Sequence, residues 1–116
     1  MELPAQIGYS MQREYNGWVV VELPRKVLKG TDESFFRQQI LELTKIHIHI
    51  ALDMSKTEFV DSSIVALLLS TDKTLTEKKG KLAILAPNNQ AIDLFAVTSI
   101  DKIIKIVSND NELRFL

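Results

Sequence analysis

Apolar and polar residues follow two periods along this chain, and where the period changes an element ends. Residues 7–12 and 18–23 read as short extended runs. Between them stand Glu14, Tyr15, Asn16 and Gly17, whose Asn-Gly pair favours the positive φ angles of a tight hairpin. Pro24, Arg25 and Lys26, with the Lys29-Gly30 pair, mark a loop. Thr31 or Asp32 can then cap a helix running to about Thr44, with Phe36, Ile40 and Leu43 as its apolar stripe. Residues 46–54 first alternate, Ile46, Ile48 and Ile50 against His47 and His49, and become continuously apolar through Ala51 and Leu52, as a central strand does. After a connection at 55–60, Asp61 precedes the clearest helical run, which continues through Leu75. Its stripe is Ile64, Leu67, Leu68, Thr71 and Leu75, which leaves Val65 and Leu69 at the stripe's edge or outside it. Glu77-Lys78-Lys79-Gly80 ends this helix, with Gly80 placed for a left-handed C-cap. Residues 81–86 predict a short buried strand, Pro87-Asn88 a turn and cap, and 90–97 a helix with Ile92, Phe95 and Ala96 inward. Residues 100–107 predict a turn and a last strand, and Asn109 with Glu112 has capping-box spacing for a final helical turn.

The resulting order, β-β-α-β-α-β-α-β, predicts an α/β fold in one domain, with a mixed central sheet, an N-terminal hairpin and about four helices. Composition fits that picture: 116 residues, 46% hydrophobic and 25% charged, suffice for one buried core without a metal or disulfide. Fourteen Lys and Arg against 15 Asp and Glu leave a net charge of −1, so no global field attracts nucleic acid or an anionic membrane. Partner choice must come from a local surface. Cysteine is absent, which removes disulfides, thiol nucleophiles and Cys-based metal sites. The N-terminus lacks the pattern of a signal peptide, and no apolar stretch approaches the roughly 18 residues of a membrane span. A cytoplasmic protein without membrane insertion is expected.

Ala51-Leu52-Asp53, then Phe59, then Asp61-Ser62-Ser63 opening an apolar helix, resembles the STAS family of anti-sigma factor antagonists and their relatives. That family pairs an apolar strand ending in Asp with a short loop holding an aromatic residue and Asp-Ser-Ser-Gly at a helix start. Gly80 before a short strand, the Pro87 turn, and Leu94-Phe95 followed by Ile100 and Ile103 extend the likeness, which covers about residues 46–107. The resemblance implies a STAS-like fold, with Ser62 as phosphoacceptor for a partner kinase, often the anti-sigma factor itself, and a phosphatase restoring binding. Two departures stand out: Ile64 replaces the family's Gly, and Pro24-Arg25-Lys26-Val27-Leu28 replaces its Gly-Glu-Leu-Asp loop.

The triplet also has its own physical logic. Asp61 is suited to cap the helix, placing Ser62 and Ser63 in the first turn beside unpaired N–H groups at the positive end of the dipole. A phosphate on Ser62 would use those donors locally while bringing about −1.5 to −2 charges to the surface, which can expel a packed partner. The expected partner site comprises Asp61, Ser62, Ser63, Ile64, Val65 and Leu69, with an anti-sigma factor or related serine kinase as partner and no cofactor or metal of the chain's own. The alternative within the fold is a non-phosphorylated STAS subunit of a transporter or sensor complex. From another class, Asp53 and Asp61 could form an acidic pair for a Mg-dependent phosphohydrolase. His47 and His49, two apart on a strand, could supply two metal ligands but lack a third at a recognisable offset, and Ser62 lacks a positioned base. The chain is therefore expected to bind rather than catalyse.

Overall fold

The computed structural model describes residues 12–116, and at 31–33 the backbone only. In chain order the elements are β1 (Gln12–Tyr15), β2 (Trp18–Glu22), β3 (Lys26–Val27), α1 (Thr31–Leu43), β4 (His49–Asp53), β5 (Phe59–Val60), α2 (Ser63–Glu77), β6 (Lys81–Leu85), α3 (Asn89–Val97) and β7 (Lys105–Val107). Short 3-10 segments follow α3 at Ile100–Lys102 and close the chain at Asp110–Phe115. The main sheet has the order β1-β2-β4-β6-β7, antiparallel at the opening hairpin and parallel elsewhere. β3 and β5 form a separate parallel pair.

At the hairpin, Asn16 and Gly17 take φ angles of 50° and 90°, the positive values of a two-residue turn that pairs Tyr15 directly with Trp18. Glu14 and Tyr15 thus belong to β1 and not to the turn. Of the strand expected at 7–12, only Gln12 lies within the described residues. α1 starts at Thr31 with Gly30 at the N-cap, φ 109°, so the cap falls one residue before Thr31 and two before Asp32, the expected cap residues. Phe36, Ile40 and Leu43 are buried as their spacing predicts.

The expected strand at 46–54 is shorter at its start. The N–H groups of Ile46 and His47 both turn back to the Leu43 carbonyl, at 3.0 and 2.8 Å, so these residues finish the α1 terminus and have no donors for a ladder. Ile46 is consequently 77% exposed, and the isoleucine alternation that looked like strand pattern spans a turn. From Ile50 to Leu52 the strand is wholly buried, as parallel pairing on both sides requires.

One face of the sheet packs Val19, Val21, Ile50, Leu52, Leu82 and Ile84 against the helices, where Ile64, Leu67, Leu68 and Leu75 of α2 and Phe95 of α3 are buried. The opposite face holds Trp18, Val20, Ala51, Ala83 and Leu85 beneath Leu113 of the last 3-10 segment. That segment starts as its spacing predicts, with the Asn109 side chain accepting from the Glu112 N–H at 3.3 Å. It is anchored by Arg13, whose guanidinium grips Asp110 through two bonds of 2.9 and 2.7 Å. In α3, Asn88 caps by accepting the Ala91 N–H at 2.9 Å. Ala91 and Phe95, four apart, face inward, whereas the expected Ile92 is 43% exposed and Ala96 is also exposed. Among the described residues no helix is long and apolar enough to cross a membrane.

The end of α2 differs from the sequence expectation in an instructive way. The left-handed residue is Lys79, φ 64°, and Gly80 follows it. Gly80 N–H bonds to Leu75 O at 2.7 Å and Lys79 N–H to Thr76 O at 2.9 Å, the paired bonds of a Schellman motif displaced by one residue from the glycine. Gly80 is needed for space instead, because a Cβ there would lie 1.9 Å from the Ile48 carbonyl oxygen. That oxygen also accepts the Lys81 N–H at 2.8 Å, so it cannot retreat without losing a bond. Gly80→Ala is expected to cost at least about 2 kcal/mol in urea unfolding. Lys79→Gly, by relieving a left-handed side chain, is expected to be neutral or stabilising by up to about 1 kcal/mol.

Candidate functional site

The residues singled out by sequence lie past the carboxyl ends of the parallel strands, where β4 gives way to the segment leading into α2. Met54 N–H continues the ladder to Leu85 O at 2.8 Å, and Thr57 N–H closes a turn onto Met54 O at 3.0 Å. Thr57, itself buried, donates its hydroxyl to Pro24 O at 2.8 Å. Glu58 and Phe59 N–H groups both reach Arg25 O, at 2.7 and 3.1 Å, and β5 then pairs with β3. On its other edge β5 is closed by a side chain: Gln90 of α3 accepts Val60 N–H at 3.1 Å and donates to Val60 O at 2.9 Å. Asn88 also donates to Glu58 O at 2.9 Å. The approach to Asp61 is therefore held from both sides, with Val60 buried and Phe59 51% exposed.

Asp61 organises the start of α2. Its Oδ1 accepts the Ser63 N–H at 3.0 Å and the Ser63 hydroxyl, while Oδ2 accepts the Lys29 N–H at 2.8 Å. The formal cap position is Ser62, already helical at φ −64° and ψ −13°, but the capping side chain is that of Asp61, as its residue type predicts. Ile64 N–H bonds to Asp61 O and Val65 N–H to Ser62 O, each at 3.1 Å. The N–H groups of Ser63, Ile64 and Val65 are thus committed, Ser63 giving its N–H and hydroxyl to Asp61, while the Ser62 N–H has no partner among the described residues. Ser62 is exposed, and its hydroxyl has no partner among the described residues.

Helical spacing sorts the remaining site residues. Ile64 has no exposed surface and belongs to the core, so it drops out of the expected partner site. Two residues apart on a helix lie on nearly opposite faces, which sends the β-branched side chain inward and Ser62 outward. Ser62, Val65 and Leu69, at spacings of three and four, run along one outer face; Val65 is half-buried and Leu69 is 41% exposed. Phe59, three residues before Ser62 in sequence, carries an exposed aromatic ring.

Asp53 and Asp61 do not form an acidic pair. Asp53, buried, accepts Ser55 N–H at 2.9 Å and faces the Arg13 guanidinium at 3.0 Å. The two carboxylates serve separate hydrogen-bond networks, which removes the pairing on which the phosphohydrolase alternative depended. His47 and His49 do not share a strand either: His47 lies before β4, and the His49 ring meets Trp18 edge-on at 5.2 Å. Lys29, Asn88 and Gln90 are the positioning residues that sequence reasoning missed for this site. Only Asn88, recognised there as a cap, carried a sequence signal.

Burial alone would raise the Asp53 carboxyl, but the Ser55 backbone and hydroxyl donors and Arg13 outweigh it and hold it below the ordinary carboxylate range. The Ser63 hydroxyl, with Lys29 and Ser63 N–H groups, depresses Asp61 likewise. Both folded values lie below the unfolded ones, so their stabilisation is present above the unfolded carboxylate pKa and is lost as pH falls through the folded values. Burial raises Asp72 and opposes this trend. Urea midpoints are expected to fall below about pH 4, with a shallower fall in an Asp53→Asn chain, which has no proton to take up there.

A family model described as the STAS domain matches residues 9–113. A Thermotoga maritima protein named as a candidate anti-sigma factor antagonist is 26% identical over 96 residues, covering 81% of this chain and 85% of that protein. A crystal structure of a candidate anti-sigma factor antagonist from Thermotoga maritima superposes with a TM-score of 0.82 at 22% identity, covering 91% and 92% of the two chains. The Bacillus cell fate determinant SpoIIAA in its phosphorylated form gives 0.71 at 16% identity, covering 91% and 97%. At these identities the structural likenesses show the fold.

Proposed function

The chain belongs to the STAS domain family, and from that premise we propose that it is a regulatory module that binds an anti-sigma factor or related serine kinase through the Ser62 face and is released when Ser62 is phosphorylated. One observation carries this reading: an unengaged, exposed serine hydroxyl stands at the head of an outward strip formed by Val65 and Leu69, with Phe59 close by in sequence. Exposed aromatic and aliphatic groups are the usual anchors of a docking surface, and a dianion at their edge must be desolvated or repelled when a partner packs there. The relatives lend support, since the Thermotoga protein is named for anti-sigma factor antagonism and the Bacillus protein exists in a phosphorylated form. ATP and the chemistry of transfer come from the partner kinase, and a phosphatase reverses the mark. The neighbourhood of Ser62 supplies hydrogen bonds and apolar contact, which suits binding rather than catalysis.

Recovery of the protein with its partners from its native cells tests both halves of the proposal. Phosphate is expected on Ser62, and Ser62→Asp is expected to weaken partner binding by about ten- to a hundredfold relative to Ser62→Ala, or about 1.4 to 2.7 kcal/mol. Phe59→Ala and Leu69→Ala should each weaken binding by roughly tenfold while leaving unfolding midpoints nearly unchanged. If the native protein is never phosphorylated and the Ser62→Asp chain binds as tightly as the unmodified one, the switch fails. A constitutively bound STAS subunit would then be the better account.

A further inference from the structure

We propose that Asp61 is the positioning residue through which a phosphate on Ser62 acts on the loop between β3 and α1, by drawing the carboxylate off the Lys29 amide. The inference rests on Ser62 being the phosphoacceptor and adds a structural consequence to that modification. Phosphoryl transfer from a nucleoside triphosphate forms the Oγ–P bond, breaks the bond to the departing nucleoside diphosphate and releases the hydroxyl proton.

The loop that joins β3 to α1 consists of Leu28, Lys29 and Gly30. Its middle residue is tied by one side chain, since Lys29 N–H donates to Asp61 Oδ2 at 2.8 Å across 32 positions of sequence. Asp61 N–H, at 3.4 Å from Val27 O, adds a longer bond at the end of β3. Gly30, φ 109°, then turns the chain into α1. The same carboxylate is fixed at its other oxygen by Ser63, through N–H and hydroxyl. One anionic group thus bridges the helix start and the loop, and its pKa is lowered, which keeps it charged at neutral pH.

A phosphate on Ser62 enters this arrangement as a competitor. Ile64 and Val65 N–H groups are spent on the carbonyls of Asp61 and Ser62, so beyond the Ser62 N–H itself the nearest donors that a phosphate can share are the Ser63 donors that hold Asp61. The dianion also repels a carboxylate on the adjoining residue. Both effects displace Asp61, and the Lys29 amide loses its acceptor. The register that pairs Lys26 with Phe59 places this loop beside the proposed docking surface, so phosphorylation changes the shape of that surface as well as its charge.

The test needs no partner protein. Phosphoserine is installed at position 62 by coded incorporation, and amide exchange at Lys29 is followed by NMR in the unmodified, phosphorylated, Asp61→Ala and Asp61→Asn chains. Exchange at Lys29 is expected to rise about tenfold or more on phosphorylation and in Asp61→Ala, with Gly80 as an unaffected reference amide. Asp61→Asn has one acceptor oxygen where the carboxylate uses two, so it can serve Ser63 or Lys29 but not both; with the Ser63 cap kept, Lys29 exchange is expected to rise toward the Asp61→Ala rate and to respond less to the phosphate. An unchanged Lys29 rate in Asp61→Ala, or in the phosphorylated chain, overturns the proposal. Absence of phosphate from the native protein would instead overturn the functional reading while leaving the response to installed phosphate intact.

Discussion

β4 is hydrogen-bonded to parallel neighbours on both edges and covered on both faces, and this double enclosure dictates where the rest of the molecule can carry chemistry. From Ile50 to Leu52 a strand so placed has no side-chain position that meets solvent, and an unpaired charge there would cost several kcal/mol, so its middle must be apolar. Polar function is displaced to the carboxyl end. Asp53 stands at that boundary, tolerated because Ser55 and Arg13 compensate its charge. Beyond it the chain must turn, climb through the two residues of β5 and start α2, and each step exposes backbone groups that a side chain or neighbouring strand has to satisfy. Thr57, Gln90 and Asp61 do this in sequence, and Ser62 emerges at the end of a path held at almost every residue.

The parts of this arrangement visible in the sequence are those fixed by local periodicity. All five stripe positions of α2 are buried because a helix repeats every 3.6 residues whatever surrounds it. Asn16-Gly17 and Asn88 were legible for a related reason: their side chains and backbone preferences act within three residues. Ile46 and Ile48 misled because alternation over a few residues is also what a helix-terminating turn can show, and only the Leu43 carbonyl, claimed by two later amides, reveals the difference. β3 and β5, two residues each, are too short to possess a period. At the end of α2, Lys79 accepts a left-handed backbone so that Gly80 can supply room under Ile48, a requirement set by another part of the chain.

Asp61 shows the same boundary within a single residue. That it would cap α2 follows from its type and position, and Oδ1 does so. That Oδ2 would take an amide from a loop 32 residues earlier follows from the β3–β5 pairing, which has no local signature. The two bonds support each other: the cap fixes the carboxylate plane, and a fixed plane presents the second oxygen at hydrogen-bonding distance to Lys29. A side chain that satisfies two separate backbone donors loses its rotamer freedom once for both, which makes the junction firmer than either bond alone would.

Ile64 completes the geometry. In the family pattern a glycine stands at this position, and a β-branched residue beside the proposed phosphoacceptor looks obstructive on paper. The structure directs that side chain into the core, where it packs with no exposed surface. A glycine could not resist rotation of the first turn, because it buries nothing. Isoleucine does resist it, since turning Ser62 inward would drag a fully buried aliphatic group toward water at a cost of about 1.5–3 kcal/mol. The isoleucine therefore adds to Leu67, Leu68, Thr71 and Leu75 in fixing the azimuth of α2, with Ser62, Val65 and Leu69 outward on one face. This departure from the family pattern is, in physical terms, a further anchor for the proposed site.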